Sequence, residues 1–301
     1  VAYETGAALD ENDLLDKIKT FAVASGWSLN LWATDGDGWR LHLKKGDQYV
    51  NLRSTLTNPT YTQNTGHHIW LGGSDGFDAG DAWNAQPGAS PSALLRDMAG
   101  PYAAYHFFAN GDSFFLVVEQ VTGTFRHAGW GLITKTGLAP AQSGAHVGAV
   151  YELPTGLNTD SQGHSYYFDA GQLSNPPGYR SHLRADVDGV LGWVPMTGNV
   201  SSTPRCLGPC RNKGLLEDLM VCQPNTFNEA TAFFPMVLAV SRASSYWSIV
   251  GYPPDIALCD ITNYADGQEV AVGADTWKLF PWSSRERAFP GTRAYAFKKV
   301  A

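Results

Sequence analysis

The sequence predicts an α+β fold, mainly antiparallel β, with an N-terminal helix, a β-meander and a β-rich C-terminal region. Three observations carry this expectation. One stretch near the start has helical apolar spacing, and many short apolar segments alternate between turns rich in Asp and Gly. Glycine (32) and proline (17) are frequent, and charged residues make up only 16%, well below the about 25% usual for soluble domains. With ten tryptophans besides, this composition excludes a coiled coil, a helical bundle and a disordered chain. A chain of 301 residues buries about three quarters of the surface its unfolded form exposes, so it folds without covalent or metal staples.

The helix is predicted over residues 10–25. Leu14, Leu15, Ile18, Phe21 and Ala22 recur on one face, Asp10 is placed to cap the start, and Gly26 to end it. Three alternating segments follow at 29–33, 39–44 and 49–53. They are joined by Asp35-Gly36-Asp37-Gly38 and Lys45-Gly46-Asp47, the chemistry of tight hairpins. Residues 54–100 read mostly as loop, with a strand at 68–71 and a helical turn at 92–98. The strongest strand trio lies at 102–108, 114–119 and 123–133, with turns at Asn110-Gly111-Asp112 and Val121-Thr122-Gly123. Residues 136–180, rich in Gly, Ser, Asn and Pro, read as long surface loops. Further strands are expected at 247–250, 256–261, 269–272, 277–280 and 293–297. The resulting division is an N-terminal α+β region (1–135), a loop-rich segment with a cysteine cluster (136–231) and a β-rich C-terminal region packing on the first (232–301).

Net charge is −7, and basic residues form no run longer than pairs such as Lys44-Lys45, so nucleic acid is not an expected partner. No apolar stretch approaches the about 20 residues of a membrane span. The most apolar run, 234–240, contains Pro235. No basic segment followed by an apolar core opens the chain. The expectation is a soluble protein made in the cytoplasm.

The motifs of phosphate loops, zinc helices and nucleophile elbows are missing, and no enzymatic activity or cofactor is expected. Carboxylates gather at Asp35/Asp37, at Asp186/Asp188, and at Asp75, Asp78 and Asp81 in a Gly-rich loop. Such groups do acid–base work on glycosidic bonds or bind calcium, but aspartate before glycine is also ordinary turn chemistry. His106 and His127, on successive meander strands, are candidates to face each other, either as a minimal metal pair or as half-buried hydrogen-bonded rings. No metal is assigned. Cys206, Cys210, Cys222 and Cys259 leave three alternatives open: free thiols in a reducing compartment, disulfides outside it, or a tetrahedral zinc site.

Several stretches together resemble a family of tailed-bacteriophage virion structural proteins. They are Ala2-Tyr3-Glu4-Thr5-Gly6 with the Leu14-Leu15 helix and Gly26-Trp27; Tyr49-Val50-Asn51-Leu52-Arg53; Gly76-Phe77-Asp78 and Trp83-Asn84-Ala85-Gln86-Pro87-Gly88. Further on come Ala104-Tyr105-His106-Phe107-Phe108, Phe125-Arg126-His127-Ala128-Gly129-Trp130-Gly131 and Arg184-Ala185-Asp186-Val187-Asp188-Gly189. Asp275-Thr276-Trp277-Lys278-Leu279-Phe280-Pro281 and Tyr295-Ala296-Phe297-Lys298 close the series. The likeness covers most of the chain in order, except 136–180 and 204–224.

The resemblance implies a component of the neck or collar, tail or baseplate that resides in the virion. Its partners would be other virion proteins and copies of itself in a homo-oligomer, without a transferable enzymatic site. In that setting the cysteines are candidates for disulfides, and Trp282, Phe289 and Tyr179 for interface residues, because they join apolar side chains to turn-rich backbone. Two competing functions stand beside it: a host-glycan-binding module using exposed tryptophans, and a glycan hydrolase using two aspartates.

Overall fold

The computed structural model describes residues 2–56, 67–95, 98–136, 143–149, 165–166, 169–170, 181–196, 206–207, 230–242, 247–282 and 293–299. They form an α+β fold, mainly antiparallel β. Its centre is a seven-stranded antiparallel sheet in the spatial order Ala2–Ala8, Tyr102–Asn110, Ser113–Val121, Thr124–Leu132, Ala145–Ala149, His182–Val187, Val190–Pro195. On one side lie the helix Glu11–Ala24 and an N-terminal sheet ordered Ser28–Asp35, Gly38–Lys45, Gln48–Thr55, His68–Ser74, Ala93–Leu95. On the other lie two more sheets. The C-terminal sheet runs Phe234–Pro235, Ile256–Asp260, Arg293–Lys299, Asp275–Pro281, Glu269–Val272, and a small sheet runs Thr134–Lys135, Trp247–Tyr252, Leu238–Ser241, Cys206–Leu207.

The helix forms where its spacing predicts. The Asp10 carboxylate accepts hydrogen bonds from the backbone N–H of Asn12 (2.9 Å) and Asp13 (2.8 Å), satisfying two of the amides a helix start leaves open. Leu14, Leu15, Ile18, Phe21 and Ala22 are buried against the N-terminal and middle sheets.

The middle sheet is covered on both faces, which is why its strands read as continuous apolar runs rather than as alternation. Along Ser113–Val121, Phe114, Leu116 and Val118 enter the core shared with the helix and N-terminal sheet. Phe115 and Val117 point the other way, into a second core with Phe280, Tyr295 and Phe297 of the C-terminal sheet. Each such side chain, fully buried, contributes about 1.5–3 kcal/mol.

Four features differ from the sequence expectation or add to it. The helical turn expected at 92–98 is instead the strand Ala93–Leu95, paired with Ile69, Trp70 and Leu71. Burial of three consecutive apolar residues suits a strand enclosed on both sides. Within the 136–180 stretch, expected as surface loop, Ala145–Ala149 is an interior strand of the middle sheet, where small residues fit beside Trp130 and Gly129. Ala2–Ala8 pairs with Tyr102–Asn110, and His182–Val187 forms a hairpin with Val190–Pro195. The middle sheet therefore draws its strands from both sides of residue 135.

Candidate functional site

The two hairpin tips predicted from Gly-Asp pairs come together in space. Gly46-Asp47 closes a hairpin of the N-terminal sheet and Gly111-Asp112 one of the middle sheet. Both glycines have positive φ (57° and 51°), as the first position of a type II′ turn requires. The Lys45 ammonium ties them by donating to the carbonyl oxygens of Ser25 (3.1 Å) and Gly111.

Beside these tips, between the N-terminal sheet and the far strands of the middle sheet, lies a cleft of about 630 Å³. Such a volume falls within the about 300–1,000 Å³ of small-ligand sites. Lys45, Asp47, Tyr49, Asp75, Asp112 and Arg184 carry its chemistry. Arg184 donates to the Asp75 carboxylate (2.6 Å), bridging the Gly-rich loop to the middle sheet, and its guanidinium stands 5.8 Å over the Trp193 ring. The Trp193 indole N–H donates to Gly88 O at 2.8 Å. Asp47 and Asp112 are exposed, and neither carboxylate is hydrogen-bonded or ion-paired among the described residues. A cavity of about 10 Å³ shares Gln48, Tyr49 and Ala145 with the cleft and is lined by Trp27, Trp130 and Trp193.

The carboxylates of Asp35, Asp37, Asp78, Asp186 and Asp188 serve turns and ion pairs. Asp35 and Asp37 flank Arg53 at 3.4 and 3.9 Å. Asp186 accepts from the Gly189 N–H at 2.9 Å, closing the hairpin at Asp188-Gly189, and Asp188 pairs with Arg242 at 2.6 Å. Asp78 accepts from the Gly80 N–H at 2.8 Å. The buried Gln86 amide holds this loop together, accepting from the Asp78 N–H (2.7 Å) and donating to the Asp78 and Ala82 carbonyls.

His106 and His127 do share a face, in register on either side of Val117, but they turn toward the C-terminal sheet. His106 Nδ1 and the Tyr3 hydroxyl are hydrogen-bonded at 2.9 Å, and His127 Nε2–H donates to Pro281 O at 2.8 Å. Burial pulls the His106 pKa down to about 4, assisted by the Lys278 ammonium, and holds His127 and His146 at about 3. His106 and His127 are half of an interlayer contact with Phe280, Tyr295 and Phe297, and His146 stacks near Phe115. No group of three or more metal-ligating side chains gathers among the described residues.

Cys259 is a free, buried thiol facing Ala294 O at 3.9 Å, and burial raises its pKa. It carries no disulfide in this arrangement. The side chain of Cys206, and Cys210 and Cys222 entirely, lie outside the described residues, as do Phe289 and Tyr179. Trp282, expected at an interface, is instead in the second core, 6% exposed and stacked on Tyr295 at 5.7 Å. The cleft itself was not foreseen. The only local signal for it was the pair of Gly-Asp turns, whose approach depends on how two sheets stack.

No protein-family model matches the chain, and no curated protein sequence matches it.

Proposed function

We propose that the chain is a non-enzymatic structural component of a tailed-bacteriophage virion, in the neck or collar, the tail or the baseplate. It works through protein–protein assembly, as a homo-oligomer among other virion proteins. One observation supports this reading: several of the stretches that resemble that family are strands of the layered core. Residues 104–108 and 125–131 lie in the middle sheet, and residues 275–281 and 295–298 are neighbouring strands of the sheet packed on it.

With Trp282 buried, apolar surface for a neighbouring subunit comes from elsewhere. Trp247 and Ile249, two residues apart and so on one face of the small sheet, are 40% and 60% exposed. Quantitative mass spectrometry of gradient-purified virions tests the proposal. A fixed ratio of this chain to the major capsid protein across preparations is expected, and its absence from virions of a phage that expresses it would refute the assignment.

A further inference from the structure

We propose that the cleft between the two Gly-Asp hairpin tips binds a neutral, hydroxyl-rich ligand, a saccharide, with hydroxyl groups held at its mouth and at its floor. The site goes beyond a role in assembly and needs no virion around it.

The mouth supplies acceptors. Both cations of the cleft are engaged, Lys45 on two carbonyl oxygens and Arg184 on Asp75, whereas Asp47 and Asp112 stand exposed without partners among the described residues. A ligand meeting those two carboxylates must bring hydrogen-bond donors. Against two cations the cleft sets three carboxylates, Asp47, Asp75 and Asp112, so an anionic ligand meets net repulsion.

The floor asks for the opposite. Trp27 and Trp130 are each only 2% exposed, and each indole N–H is buried without a hydrogen-bond partner. A buried, unpaired donor costs about 1–3 kcal/mol, so the pair favours whatever brings an acceptor oxygen. Both indoles line the about 10 Å³ cavity that adjoins the cleft, a volume that holds a single oxygen atom. A simple cation satisfies the mouth but not the floor, and an anion the floor but not the mouth. A hydroxyl group is donor and acceptor at once, and a sugar carries several on a rigid frame.

The test uses the purified full chain on an array of neutral and anionic bacterial surface glycans, followed by calorimetric titration of the best neutral oligosaccharide bound. Spermine serves as the cationic probe. Asp47→Ala with Asp112→Ala changes only exposed turn positions. This double variant is expected to bind at least about tenfold more weakly, as expected for the loss of a charged hydrogen bond, with an unchanged melting temperature. Trp27→Phe keeps a buried ring but removes one floor donor, and it too should weaken binding. Retention of no glycan, preference for anionic glycans or for spermine, or equal affinity in the double variant would each overturn the proposal.

Discussion

A Cβ built on Gly73 falls 2.3 Å from Cη2 of Trp193, closer than any side chain tolerates. Gly73→Ala must therefore displace the indole that lines the small cavity beside the cleft, straining its bond to Gly88 O. Urea unfolding should show a loss of about 1–3 kcal/mol, as for other overpacked sites; an unchanged midpoint would mean that Trp193 is held loosely. Trp282→Ala should cost about 3–5 kcal/mol, because the ring fills the second core against Tyr295. Weakened assembly with an unaltered unfolding midpoint would instead return Trp282 to an interface. Nothing local in the sequence reveals its burial. Trp282 follows Pro281 at a strand end, and the partner that covers it stands on the neighbouring strand. The Asp186 and Asp78 carboxylates are different, since each meets its partner within a few residues. Asp186 and Asp78 behave as their Asp-Gly and Gly-rich contexts suggest.

The elements most legible in the sequence are those specified within their own span. The helix carries its cap, its apolar stripe and its stop in about four turns' length, so Asp10→Ala removes a local term. Thermal or urea unfolding should register about 1 kcal/mol for it. The hairpins at residues 35–38, 45–48 and 110–113 were legible for the same reason. The strand Ala145–Ala149 was not. Its residues are small and weakly strand-forming, and it is held by pairing with Thr124–Leu132 on one edge and His182–Val187 on the other. Ala93–Leu95 is likewise decided by a partner rather than by its own three residues.

At the scale of the molecule, stacking order was beyond reach of sequence patterns, because layers meet through residues far apart in the chain. Aromatic-rich meander strands signal a sheet, but not that both of its faces are covered. The same layering places His106, His127 and His146 as neutral rings in or beside the second core. Their folded pKa values, about 4 and about 3, lie below the ordinary 6.5, so the unfolded chain binds more protons below that pH. Their contribution is complete above about pH 6.5 and is lost as pH falls toward about 4 for His106 and about 3 for the other two, at up to about 1.4 kcal/mol per pH unit for each ring. Glu11 and Asp255, whose pKa values burial raises, act in the opposite sense at the acidic end. Melting curves should therefore show a lower melting temperature at pH 5.0 than at pH 7.5, and equal values would show that the three rings are not held neutral.

The proposed place in a virion is tested most directly by immunogold electron microscopy of phage particles purified from cells that make this chain, using antibody against it. Label at one fixed place on every particle is the predicted result, and that place separates neck from baseplate. Unlabelled virions, both intact and after partial disassembly, alongside abundant chain in the infected-cell lysate, would contradict a structural role in the particle.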